Sequence, residues 1–454
     1  MDSEQRIAPA LPLTAKSPRG VFLLALLLVG CDALFLAWRG YPQNRIGLAA
    51  ALIAIAALTL PALARRADGR GVLRETLIRL TSFEGYWTLA TFTVFLALYA
   101  ITSFLDTPYN EQVRQAVAFL HGHTYIDAPS TFLEHAQVGP YSYALHPPLP
   151  AILLMPLAAI WGMETNQAAF CVVVGAADVA LAWRLLGRFR LDFNTRIWLT
   201  IFFGAGTILW YETIVGTTWA LPMVVSVFFT LATLIEVFGS ARPLWLGLFA
   251  GLASLARYDL AFAAPIYAAL AYLKGRRLRE LLWMAPGFAL VGVVFVGLNE
   301  ARYQSFFDLG VALTGPKNAP AFAARYLPRN LYTVFFMAPT VDGRFPYIHP
   351  IFAGQALTLT SPAFVLALRA SFRRAVPVLM GLAAITVSIP SLLCYANGFA
   401  QFGTRHYLQA FPFLLIMMAM GTRRRADQLT RILIVTSVIL IAFGVWHIRL
   451  YGFG

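Results

Sequence analysis

"YWTLATFTVFLALYAITSFLDTPYNEQ", residues 86–112, is the stretch from which the rest of the chain can be read. From Tyr86 to Leu105 it is almost wholly apolar, and about 20 such residues are what a helix needs to cross roughly 30 Å of hydrocarbon. Asp106 stands at the mouth of that run, and Glu111 follows closely. A carboxylate so near a membrane is costly unless it meets water, a partner or a substrate, so it marks a candidate functional position.

Runs of this size recur. The 454 residues are 59% hydrophobic and 12% charged, with a mean hydropathy of +0.68, where a soluble domain carries about 25% charged residues. The expectation is an all-α polytopic membrane protein with about 13 transmembrane helices. The candidate spans are 21–38, 46–64, 86–105, 166–187, 197–211, 219–238, 244–257, 260–273, 283–301, 351–368, 375–394, 407–421 and 432–448. Residues 1–20 read as a cytoplasmic arm, and 21–85 as two extra N-terminal helices with a basic inner loop. Residues 86–454 then form one membrane domain, with long outer loops at about 106–165 and 302–350. "LPAILLMPLAAIWG", 149–162, is short and contains Pro156, so it reads as an interfacial or re-entrant helix on the outer face.

The net charge of +14 does not point to nucleic acid. Lys and Arg gather in short loops on alternate sides of successive spans, in "RRADGRGVLRETLIR" (65–79), Arg184 to Arg196, Lys274 to Arg279, Arg369 to Arg374 and Arg423 to Arg425. That is the positive-inside pattern of a protein whose partner is the bilayer. "LLLVGCD" (26–32) has the form of a lipoprotein signal around Cys31, but the apolar run continues to Trp38, which suits a retained anchor. Cys31, Cys171 and Cys394 have neither disulfide nor metal spacing. Asp32 and Asp178 lie within spans and read as structural, satisfied by neighbouring helices.

Polar residues concentrate on the outer side. His121, His123, His135, His146, His349 and His406 fall there, as do Asp106, Glu111, Asp127, Glu134, Glu164, Glu212, Glu300, Asp308 and Asp342.

The stretches "LDTPYNEQVRQAVAFLHGHTYID" (105–127) and "ALHPPLPAILLMPLAAIWG" (144–162) resemble the GT-C superfamily of integral membrane glycosyltransferases, in its protein O-mannosyltransferase and aminoarabinose-transferase-like branch. Those enzymes place an acid straight after an early span, then a Tyr and an amphipathic helix ending in Gly, and later a Pro-Pro-Leu start to an apolar helix. Weaker likenesses follow in "GTILWYETIVGT" (206–217), "GLFAGLASLARYDLAFAAP" (247–265), "NEARYQSFFDLG" (299–310) and "FGTRHYLQAFPFLL" (402–415). The chain departs from the pattern in having Thr107, not a second acid, after Asp106, and in the two spans that precede the shared core. Glu111, one turn on, is the substitute for the missing acid.

The resemblance implies a glycosyltransferase that moves a sugar from a polyprenyl-phosphate donor to an extracytoplasmic lipid, polysaccharide or protein. It implies Asp106 and Glu212 as catalytic acids and Tyr109 at the substrate. The chemistry asks for a base to take the acceptor proton and cations to hold the leaving phosphate. Asp106 suits the base, and burial at the helix mouth would raise its basicity. Arg257 and Arg405, with Arg302 behind them, suit the phosphate, and His146 and His406 suit sugar hydroxyls. No dense carboxylate cluster points to an obligatory metal cofactor. "GLxxGLA" is also a plain helix-packing pattern, Arg257 has Asp259 within reach, and Arg405 is placed to snorkel. The rival functions are a transporter or flippase of lipid-linked sugars, whose usual mark is an internal repeat with broken helices, and a non-catalytic assembly subunit.

Overall fold

A computed structural model describes residues 82–452 except 105, 128–134, 307–318, 397, 399 and 423. The chain divides into two compact units, Met1–Thr81 and Ser82–Gly454. The expected arm, the spans 21–38 and 46–64, Cys31 and Asp32 lie outside the described residues.

The opening stretch forms α1, Phe83–Thr102, started by Ser82, whose Oγ accepts the Gly85 N–H at 3.1 Å. The chain then forms α2 (Glu111–Leu120), a hairpin of β1 (His135–Val138) and β2 (Tyr141–Ala144), and α3 (Leu149–Trp161). Next come α4 (Gln167–Leu186), α5 (Phe193–Ala205), α6 (Leu209–Val215), α7 (Ala220–Phe238) and α8 (Pro243–Ala256). Beyond a 3₁₀ turn at Tyr258–Ala263 lie α9 (Ala264–Leu273), α10 (Met284–Tyr303) and α11 (Leu327–Phe336). A second hairpin, β3 (Thr340–Val341) with β4 (Ile348–His349), precedes α12 (Ala375–Leu393), α13 (Phe411–Gly421) and α14 (Gln428–Tyr451).

The fold is therefore almost wholly helical, and six of its helices are long and apolar enough to cross a membrane, or seven if the bent pair α5 and α6 is one span. That count corrects the expectation, which placed eleven spans among these residues. Composition alone cannot distinguish a full span from a shorter apolar helix packed inside protein. The 14 residues of α8 reach only about 21 Å at 1.5 Å per residue, less than the hydrocarbon thickness. Segments 260–273, 351–368 and 407–421 each break between 3₁₀ and helical turns, with Pro265, Pro362 and Pro412 at the first positions of the new turn. Proline has no N–H to continue a preceding helix and suits a helix start. α3 is likewise a short helix, packed on α2, with Ile160 and Trp161 exposed.

α1, α4, α7, α8 and α10 pack in succession. Between α8 and α10 the backbones touch: a Cβ on Gly247 would strike the Met284 carbonyl, and one on Gly287 the Leu248 amide. The glycines of "GLFAGLA" thus serve close helix approach, the packing alternative open for that motif.

Polar links bind the helix ends into two opposite faces. At one, Arg196 pairs with Glu84 at 2.6 Å and donates to the Trp183 carbonyl, Arg369 pairs with Asp427 at 2.8 Å, and Lys274 and Arg276 donate to the Gly239 and Ser240 carbonyls. At the other, Phe104 N–H donates to Ile214 O at 3.1 Å and Arg449 to Ile101 O at 3.0 Å. The basic loops hold the first face, and most of the candidate residues hold the second.

Candidate functional site

The second face carries two neighbouring groups of side chains, with Tyr109 between them. The first is an open hollow of about 670 Å³ lined by Asp106, Thr107, Tyr109, Asn110, Arg114 and Glu164, among others. Asp106 is exposed here, not buried as expected. The helix ends at Thr102, and Asp106 then turns at the rim with its Oδ1 accepting the Thr107 N–H at 2.7 Å.

The second group gathers around the half-buried Trp219, the residue that precedes α7. The Tyr109 ring lies 4.9 Å from the indole, the His146 ring meets it edge-on at 6.4 Å, and the Arg405 guanidinium carbon lies 5.8 Å above it. Glu111, only 1% exposed, faces His146 with Oε2 3.7 Å from Nε2. Glu212 on α6 is 2% exposed and within electrostatic reach of Arg405. An indole face attracts a guanidinium, and burial strengthens that attraction. The group thus joins a cation, two carboxyls, an imidazole and two aromatic rings.

Local structure explains the convergence. Tyr109 O accepts from Thr218 N–H at 3.0 Å and from Gln167 Nε2 at 3.2 Å, and the same amide donates to Gly216 O at 2.8 Å. These bonds tie the loop after α1 to the start of α4 and to the α6–α7 turn. Gly216 holds that turn at φ 53°, where a Cβ would also meet Ala168. Arg405 is fixed in a short 3₁₀ turn by its N–H to Gly403 O at 2.9 Å.

The other expected residues divide. Arg257 pairs with Asp259 at 2.5 Å, and Gln409 Nε2 donates to the same carboxylate at 2.9 Å, so its charge is met within the protein. His406 lies in the field of both Arg405 and Arg257, and its carbonyl accepts from Gln409 at 2.6 Å. Arg302, 4% exposed, lies near Tyr143, Tyr258 and Tyr303 and donates to Ala144 O at 3.5 Å. Glu164 lines the hollow. Asp342 and His349 stand elsewhere, 3.2 Å apart in the second hairpin, which meets α14 through His349 and His447 at 3.3 Å. Glu134 and Asp308 are outside the described residues.

Asp178 also departs from expectation. It is fully buried on α4, and neither carboxyl oxygen has a hydrogen-bond partner among the described residues. Among those residues no three His, Cys, Asp or Glu side chains form a metal-binding group.

Sequence reasoning passed over Trp219 and Gln167. A tryptophan opening an apolar helix is a membrane-interface signal, which could have flagged the first. Gln167 carried no such mark. Comparison of the chain with family models, curated proteins and solved structures found no match.

Proposed function

We propose that this chain is a membrane glycosyltransferase that moves a sugar from a polyprenyl-phosphate donor to a hydroxyl on the extracytoplasmic side of a bilayer. The observation that carries the reading is the meeting of Glu111, His146, Tyr109 and Arg405 around Trp219, beside a polar hollow rimmed by Asp106. Aromatic faces with nearby carboxyl and imidazole groups suit a sugar, and a buried arginine suits the phosphate attached to it.

In this reading the acceptor enters the hollow, and Asp106 removes the proton of its hydroxyl. The oxygen attacks the anomeric carbon, and the bond from that carbon to the phosphate oxygen breaks with its electron pair. The polyprenyl phosphate leaves against Arg405, and the single displacement inverts the anomeric centre. Glu111 orients His146 at the sugar, and Glu212 sets the field around Arg405. The basic face lies in the cytoplasm. No metal or other cofactor is assigned a step, and the acceptor is an envelope lipid, polysaccharide or protein.

The test is an assay of the purified protein with a panel of polyprenyl-phosphate sugars. Asp106→Asn keeps the size and removes the base, so transfer should fall by about 10² to 10⁴ with unchanged folding. Transfer within a factor of two of the parent would remove Asp106 from the mechanism.

A second reading, a transporter coupled to protons, draws on Asp178, a buried carboxyl within a spanning helix. Proton-driven flux in proteoliposomes that Asp178→Asn abolishes, with no transfer from any donor, would establish it in place of the first.

A further inference from the structure

Arg302 is a buried cation whose charge no acid meets among the described residues. It lies in the last turn of α10, which ends at Tyr303 with Gln304 in the left-handed region at φ 52°. Asn299 Nδ2 donates to Phe306 O at 3.3 Å across that turn. Of the guanidinium nitrogens, Nη1 donates to Ala144 O at 3.5 Å, while Nε and Nη2 have no hydrogen-bond partner among the described residues. At 4% exposed the side chain does not reach water by snorkelling.

Nε and Nη2 form one edge of the planar fork, the pair that grips two oxygens of a single phosphate or carboxylate in parallel. Leaving those two donors without a well-formed hydrogen bond in a buried place is costly, and a bound ion is one way the cost is met. Tyr143, Tyr258 and Tyr303 lie around the group, with Tyr303 within hydrogen-bonding reach of the guanidinium, and a phenol O–H can donate to an anion beside it. The surroundings contrast with those of Arg257, whose fork is met by Asp259.

We infer that Arg302, with Tyr143 and Tyr258, forms a second oxyanion site that takes a phosphate group, either on a lipid headgroup or free in solution. It stands on these residues alone, so it survives or fails independently of sugar transfer.

The experiment uses the delipidated full chain. Thermal unfolding is followed in detergent against inorganic phosphate, and in nanodiscs of phosphatidic acid against nanodiscs of an uncharged galactolipid. The site predicts a rise of several degrees with phosphate, phosphatidic acid or both. A rise with inorganic phosphate identifies a soluble anion as sufficient, and a rise confined to phosphatidic acid identifies a headgroup. Arg302→Met should reduce the rise, read as the shift from that variant's own ligand-free melting temperature because the change also removes the bond to Ala144 O. Arg302→Lys should weaken binding by about tenfold or more through loss of the fork, and Arg405→Lys should lower only the part of the response owed to the donor-phosphate position, leaving the part that Arg302→Met removes. No response by the parent overturns the site. So does an equal response by parent and Arg302→Met, or a response lost in Arg405→Lys and kept in Arg302→Met.

Discussion

Two arginines named from similar sequence surroundings have different fates in the fold. Arg257 is neutralised at 2.5 Å by Asp259, and Arg405 lies over Trp219 beside Glu212. Replacing Arg405 by Lys keeps the charge but loses the planar fork, so donor affinity should weaken by about 1 to 3 kcal/mol. Arg257→Lys can keep its ion pair and should bind donor like the parent. Titration of a polyprenyl-phosphate sugar at fixed detergent measures both, and the reverse ranking would move the phosphate to Arg257. Sequence spacing showed Asp259 within reach of Arg257. It could not show that Trp219, more than 180 residues from Arg405, would lie beneath the second guanidinium.

At the scale of the element, helix contacts and caps give separable predictions. The α8–α10 contact has no room for a side chain at Gly247, where backbone cannot yield, so Gly247→Ala should destabilise by about 1 to 3 kcal/mol. Gly292→Ala, on α10 with open space around it, should be neutral or mildly stabilising because Ala favours helix. Thermal unfolding in one detergent compares the pair, and equal costs would refute the close approach. The start of α14 gives a pH dependence. Thr430 hydrogen bonds, then Arg369, hold the Asp427 pKa down to about 2, below the unfolded value of about 3.9. The carboxylate therefore stabilises the fold above about pH 3.9, and that contribution fades as pH falls toward 2. The melting-temperature gap between parent and Asp427→Asn should be full at pH 6 and close between pH 4 and 2. A gap constant with pH would show that charge is not the cause.

The whole molecule separates a basic end from an end rich in candidate side chains, and the proposed function needs the first to face the cytoplasm. In a background without other cysteines, Tyr141→Cys should react with an impermeant thiol reagent on intact cells, and Ser371→Cys should react only after permeabilisation. Both positions are exposed, so access alone cannot produce the difference. The opposite pattern would turn the site inward and defeat the lipid-linked donor.

Apolar runs, capping residues and charged punctuation are local properties, so sequence by itself determined that this is a helical, membrane-like chain and roughly where its apolar segments lie. Tyr86 to Leu105 reads as a helix because nothing within it would interrupt one, and Ser82 caps its start. Whether an apolar segment completes a span depends on bends and on what covers it, which is why α8, α9 and α13 could not be told from full spans by composition. The gathering of Glu111, His146, Tyr109 and Arg405 belongs to the tertiary structure alone. It arises from hydrogen bonds such as Gln167 to Tyr109 and Gly216, which join loops far apart in the chain. Exposure is decided at the same level, leaving Asp106 at the rim and burying Glu111, five residues further on at the start of α2.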